Sequence, residues 1–239
     1  MSAIDSLSVE DWTAINARLA GATPRDIIAW AVERFHPRLT MATAFGPEGC
    51  VLLHMLSEIE PGVRVFNLDT GYQFPETLEL RDRIAERYGI NVEMVRPDTS
   101  VAEYERAHGG PLYGSDSDRC CYDRKIVPLR RALVGADAWI TAIRADQSSH
   151  RASASIVGRD PKFELVKVNP LLTWTKRDVW AYIVTHDVPY NPLHDQGYAS
   201  IGCWPCTRAV AAGDDDRAGR WAGHAKTECG LHSLDSSQL

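Results

Sequence analysis

Between Leu39 and Ile143 the sequence alternates short apolar runs with stretches of helical period, and this restricts the chain to few folds. Leu39 to Ala44, Val63 to Leu68, Val92 to Val95 and Ala138 to Ile143 read as strands. Glu48 to Ile59, Pro75 to Tyr88 and Cys120 to Leu133 read as helices, with a polar loop before the last. Strands alternating with helices indicate parallel βαβ units. The predicted fold class is therefore α/β, a doubly wound, mostly parallel sheet flanked by helices. Ligands of such sheets bind beyond the carboxyl ends of the strands. Those ends are Phe45-Gly46, Asp69-Thr70-Gly71 and Arg144-Ala145-Asp146.

The flanks complete this frame. Ser8 reads as the cap of a helix over Val9 to Leu19, stopped by Gly21. Thr23 caps a second helix, with Pro24 at its first position and Ile27, Ile28, Ala31 and Val32 on one face. Ser153 to Val168 suggests a hairpin, and Thr175 to His186 a helix. After Asp187 the chain is rich in Gly, Pro and Asp. Residues 1–208 are expected to form one α/β domain, and 209–239 a mobile tail with little core of its own. No internal repeat is present.

Charge and composition exclude several function classes. The formal net charge is −6, so binding nucleic acid through bulk positive charge is not expected. A local basic pocket for a small anion is compatible with an acidic protein. The N-terminal residues lack a basic start followed by an apolar run, and no stretch is long enough to span a bilayer. A cytoplasmic protein without membrane association is expected. In a reducing compartment its six cysteines suit metal binding or redox chemistry better than disulfides.

Cys203-Trp-Pro-Cys206 is a C-x-x-C pair, and Cys120-Cys121 is a second pair far upstream. Two thiol pairs suit zinc or an iron–sulfur cluster. Adjacent helical side chains point roughly 100° apart. Neighbouring thiolates therefore reach one small ion poorly, whereas a cluster offers a separate iron to each. The spacing favours the cluster and leaves zinc open. Cys50, beside Val51 and Leu52 within a helical pattern, reads as a small buried hydrophobe. Cys229, in Glu228-Cys229-Gly230-Leu231-His232, is no core residue. Lys226 or His232 would raise its thiolate fraction, but taken alone it reads as an incidental exposed cysteine.

Further motifs give these residues a context. They are Cys120-Cys121-x-x-Arg124-Lys125, Arg144-x-Asp146-Gln147-Ser148 and Tyr190-Asn191-Pro192-Leu193-His194-Asp195-Gln196-Gly197-Tyr198. Ile201-Gly202-Cys203-x-x-Cys206-Thr207, Arg217-Ala218-Gly219-Arg220-Trp221 and the Glu-Cys-Gly-Leu-His terminus follow in order. In these six the chain resembles the assimilatory adenylyl-sulfate (APS) reductases, within the APS/PAPS sulfonucleotide reductase family. The resemblance runs from about residue 39 to residue 232 and implies an adenine-nucleotide α-hydrolase-like fold.

The resemblance implies an oxidoreductase of sulfate assimilation, serving cysteine biosynthesis. Cys229 would attack the sulfur of APS and displace AMP, and reduced thioredoxin would release sulfite through a transient mixed disulfide with Cys229. Cys120, Cys121, Cys203 and Cys206 would hold one [4Fe-4S] cluster that transfers no electrons. Lys125, Arg217 and Arg220 would contact the phosphosulfate, with Arg144 and Arg151 lining the same pocket. Arg217 and Arg220 would share a face if their segment is helical. Thr43, Ala44, Phe45 and Gly46 occupy the place of a pyrophosphate loop, and Leu68, Asp69 and Gly71 would hold the adenosine. His232 would raise the thiolate population or orient the tail.

The loop departs from the Ser-Gly-Gly-x-Asp-Ser pattern of ATP pyrophosphatases, which argues against ATP cleavage and against a tRNA-thiolating enzyme. PAPS reductase, dual APS/PAPS specificity and a non-catalytic iron–sulfur or zinc redox module are the rival readings. Homo-oligomerisation is left open.

Overall fold

The computed structural model describes residues 9–211, 213–221 and 226. Two helices lead, α1 (Val9–Leu19) and α2 (Pro24–Phe35). The first half then runs β1 (Leu39–Ala42), α3 (Pro47–Ile59), β2 (Arg64–Leu68), α4 (Pro75–Tyr88) and β3 (Val92–Val95). Next come α5 (Val101–Ala107), α6 (Leu112–Ser115), α7 (Ser117–Cys121), a π-helical turn over Tyr122–Ile126, α8 (Val127–Ala132) and β4 (Ala138–Ile140). The chain continues with α9 (Ser149–Ala152), β5 (Val157–Asp160), β6 (Leu165–Val168) and α10 (Lys176–His186).

Local chemistry sets many of these boundaries. Capping boxes start three helices: Thr23 with Asp26, Ser100 with Glu103 and Thr175 with Asp178. Each exchanges side-chain and backbone hydrogen bonds, satisfying donors the first helical turn would otherwise leave unpaired. Gly89 ends α4 with φ 66°, a left-handed conformation that costs glycine little.

The six strands form one sheet in the order β3-β2-β1-β4-β6-β5. All neighbours are parallel except the β5–β6 hairpin at one edge. Register fixes a continuous apolar row: Val65 opposes Met41, Met41 opposes Ile140, and Ile140 opposes Val168. This row belongs to the larger core, with Ile28, Leu52, Leu56, Leu80, Ile84 and Ile183 from α2, α3, α4 and α10. The opposite face is smaller, with Phe66, Val95, Trp139 and Leu165 meeting Leu129, Ala132 and Leu133. Burial of each Val, Leu, Ile, Phe or Met side chain among these contributes about 1.5–3 kcal/mol.

The edge strand β5 is covered by a side chain. Asn16 of α1 donates to Val157 O (2.7 Å) and accepts from Val157 N (3.1 Å), imitating one rung of a ladder. An edge so occupied offers fewer free groups to another strand.

The expected strands and most helices are found, with β1 and β4 each shorter than their apolar runs. The hairpin occupies Val157–Val168, after the short α9. Other features were not expected. α5 and α6 lie inside what read as a polar loop, α9 falls where no element was read, and the helix read from Cys120 to Leu133 begins at Ser117 and is interrupted by the π-turn. Among the described residues, no helix is long and apolar enough to cross a membrane.

Candidate active site

The chain visits β1, β2 and β3 on one side before crossing to β4, so the sheet's switch point lies between β1 and β4. A cavity of about 1010 Å³ opens there, large enough for a nucleotide.

Its floor is the turn from β1 into α3. Phe45 takes φ 56°, left-handed backbone that carries strain in a residue with a Cβ. Several contacts hold that turn: Thr43 Oγ1 accepts from Phe45 N (3.1 Å), Asn67 Nδ2 donates to Thr43 O (2.8 Å), and the Phe45 ring is buried in the core. A Cβ on Gly49 would stand 2.7 Å from Thr43 Oγ1, so the first turn of α3 packs closely on the loop. No side chain caps α3 at Gly46, and Gly46, Glu48 and Gly49 line the cavity. An uncapped helix start that faces a cavity suits an anion.

β4 brings Arg144 to the same cavity. Its guanidinium is buried and held by Glu48 (2.9 Å) and Asp146 (2.9 Å). Arg144 therefore ties α3 to the end of β4 and meets any ligand with its charge already matched. Arg151 Nη1 donates to the Gln147 side chain.

Residues 207–211 and 213–221 return across the cavity. Thr207 bridges Arg220, Arg208 N donates to Gly219 O (3.0 Å), and Trp221 N donates to Cys206 O (3.0 Å). Arg217 and Arg220 sit in turns rather than on a helix, yet both line the cavity. Arg220 lies in a seat made by Gly202, where a Cβ would approach Nη2 to 2.2 Å. Arg220 Nη1 donates to Ser200 Oγ (3.3 Å) and Ile201 O (3.4 Å). The described residues beyond 208 are thus tied to the domain. Lys176 of α10 pairs with Asp216 across this return (2.7 Å).

A second, smaller cavity adjoins the first and is lined by Cys120, Cys121, Cys203 and Cys206. α7 and its π-turn supply the first pair. A 3-10 turn supplies the second, fixed by Trp204 N donating to Tyr72 O (2.8 Å). Such π-turns recur at functional sites. Thr70 Oγ1 lies 3.2 Å from Cys203 Sγ. Burial, and then the neighbouring Cys121, Cys203 and Cys206, push the Cys120 thiol up to about 12. Burial, and then Cys203, likewise raise the Cys206 thiol, and the donor set suits a metal–sulfur centre. Among the described residues, no three His, Cys, Asp or Glu side chains are grouped as they would be around one metal ion. Lys125, Thr70 and Cys203 line both cavities and form the wall between them.

The expected site residues divide as follows. Thr43, Ala44, Gly46, Leu68, Lys125, Arg144, Arg151, Arg217 and Arg220 line the large cavity. Phe45, Asp69 and Gly71 do not. The Phe45 ring packs in the core, and Asp69 turns to Gly71 N (3.0 Å) and Arg96 (2.8 Å). Gly71 packs against Val101 and Arg124, with φ 77°. Cys229 and His232 lie outside the described residues. Cys50 is fully buried, as read. Lining residues that the sequence reading did not assign include Asn67, Gln73, Lys176, Tyr198 and Ser200. Tyr198 belongs to a quoted motif, but nothing local marks Lys176.

The profile of the phosphoadenosine phosphosulfate reductase domain matches residues 38–209. The chain is 45% identical over 221 residues to the adenosine 5'-phosphosulfate reductase of Salinibacter ruber, covering 92% of this chain and 88% of that protein. It is 49% identical over 213 residues to the phosphoadenosine 5'-phosphosulfate reductase of Gloeobacter violaceus, covering 88% of each. The crystal structure of phosphoadenylyl-sulfate reductase from Candida auris, a phosphate complex, superposes with a TM-score of 0.76 at 34% identity. That match covers 86% of this chain and 98% of that one.

Proposed function

The chain belongs to the phosphoadenosine phosphosulfate reductase domain family, and from that membership we propose that it reduces adenylyl sulfate to sulfite and AMP. The reaction serves sulfate assimilation and cysteine biosynthesis, with reduced thioredoxin as the source of electrons. One observation carries this reading: Lys125 stands in the wall between a nucleotide-sized cavity and a pocket of four cysteines. A lysine there presents an ammonium to the sulfate end of a nucleotide.

The proposed chemistry is two displacements. The Cys229 thiolate attacks the sulfur of APS. A sulfur–sulfur bond forms, the bond from sulfur to the bridging oxygen breaks, and AMP leaves with the electron pair. A thioredoxin thiolate then attacks the Cys229 sulfur. The new sulfur–sulfur bond breaks, sulfite leaves with its pair, and a mixed disulfide links the two proteins. The second thioredoxin thiol resolves it, so the dithiol is oxidised by two electrons and Cys229 returns as a thiol.

The chain's own residues prepare these steps. Lys125, Arg217, Arg220 and Arg151 bind the phosphosulfate, for which arginine's planar fork is well shaped. Thr43 to Gly46 and the start of α3 hold the phosphate, and Leu68 supports the adenosine. Arg144 keeps the floor rigid through Glu48 and Asp146. The segment beyond Trp221 delivers Cys229, and His232 orients it or favours its thiolate. Cys120, Cys121, Cys203 and Cys206 fit one [4Fe-4S] cluster, which would supply a fixed charge beside the sulfate and no electrons. A cytoplasmic setting, where thiols stay reduced, suits both cysteine roles.

Mass spectrometry after incubation with APS and no thioredoxin tests the reading. A sulfonate adduct on Cys229 is expected, and iron-loaded protein that forms none would overturn the mechanism. Relatives are named for both nucleotides, so turnover on APS and PAPS should be compared. A strong preference for PAPS would overturn the substrate assignment.

A further inference from the structure

We propose that Lys226 and Asp118 form an anchor that positions Cys229 over the sulfate end of the cavity; this role rests on the reading of Cys229 as the nucleophile. Lys226 is three residues before Cys229. Its side chain is 8% exposed and its ammonium points into the domain. Nζ pairs with Asp118 at 2.5 Å and donates to Ser117 O at 3.2 Å. It also stands 5.6 Å from the centroid of the Trp221 ring, a cation–π contact.

Asp118 and Ser117 belong to α7, the helix that carries Cys120 and Cys121. Ser117 and Trp221 line the thiol cavity with them. The anchor therefore joins the segment of Cys229 to the element that meets Lys125 one turn later. The Lys226 charge is spent on Asp118, which makes Lys226 a positioning residue rather than an activator of the Cys229 thiol.

Chain reach gives the size of the effect. A chain extends at most about 3.3–3.6 Å per residue. With Lys226 fixed, the Cys229 Cα lies within about 11 Å of the Lys226 Cα, whatever conformation the intervening residues take. Without the anchor, the nearest described residue bonded to the domain is Trp221, buried and bonded through its N–H to Cys206 O. The tether then lengthens from three residues to eight. Effective concentration falls roughly as the −3/2 power of tether length, so loss of the anchor dilutes the thiol about four-fold.

The test uses the full, iron-loaded chain and rapid-quench single turnover with saturating APS and no thioredoxin. Lys226→Met and Asp118→Asn should each slow appearance of the Cys229 adduct about four-fold. Nucleotide affinity and iron content should not change. Lys226→Arg, and the exchanged pair Lys226→Asp with Asp118→Lys, should recover most of the rate. Amide hydrogen exchange of a peptide covering residues 222–232 should quicken in Asp118→Asn. Wild-type adduct rates in both single variants would overturn the anchor, as would a loss that follows weaker nucleotide binding or lower iron content. If the wild-type chain forms no adduct, the nucleophile assignment fails instead. The exchange measurement then decides the anchor alone: unchanged exchange in Asp118→Asn overturns it.

Discussion

Arg220 shows how one side chain is held ready by a glycine. Gly202 leaves the space in which its guanidinium lies, and Ser200 and Ile201 accept from it. Gly202→Ala should push Arg220 out and weaken AMP binding about ten-fold, the equivalent of about 1.4 kcal/mol, within the range for charged hydrogen bonds. Calorimetric titration measures this, and unchanged binding would remove Arg220 from the phosphate site. His194 makes a pH-dependent contribution. Burial holds its imidazole below the ordinary histidine value, although the hydrogen bond to Tyr198 O (2.7 Å) works in the other direction. The unfolded chain therefore binds a proton near pH 6.5 that the folded chain resists. Stability is complete above that pH and falls as pH drops below it. His54 acts with the same sign, also through burial. His194→Gln should flatten the loss of Tm between about pH 6.5 and 5; an unchanged slope would assign the effect elsewhere.

At the scale of elements, local signals carried most of the information. α10 begins with Thr175 Oγ1 accepting from Asp178 N (3.2 Å) and Asp178 Oδ2 accepting from Thr175 N (2.8 Å). That helix presents Lys176 and Trp180 to the cavity. Thr175→Ala should cost about 1 kcal/mol and lower Tm by about 2–4 °C in thermal unfolding. The same Ser/Thr-x-x-acid signature was present at Ser100-Val101-Ala102-Glu103, and α5 could have been read from it. The π-turn after Cys121 had no such signal. Whether a helix takes an extra residue per turn depends on what its side chains must reach. Here Arg124 Nε donates to Thr70 O (2.6 Å), a contact between distant parts of the chain.

At the scale of the molecule, α7 and the Cys203–Cys206 turn, separated by most of the second half of the chain, line one cavity with their four thiols. A centre bound by both segments stabilises only the folded arrangement. Removal of the proposed cluster by a chelator should therefore lower Tm by about 5 °C or more, a shift corresponding to a few kcal/mol. Equal Tm values for iron-loaded and iron-free protein would mean that the thiols hold no structural centre.

The sequence by itself determined the strands, most of the long helices beside them, the strand ends at which the large cavity opens, and the cysteines worth pairing. Those follow from periodicity and spacing along the chain, which are local properties. Only the tertiary structure decided that Arg144 meets the cavity with its charge already matched, because Glu48 lies almost a hundred residues away. It likewise decided that Lys125 faces both cavities, that Arg217 and Arg220 reach the site from turns, and that Lys226 spends its charge on Asp118. A charge written in a sequence has no partner until the fold brings one within a few ångströms, and that choice depends on the whole packed chain.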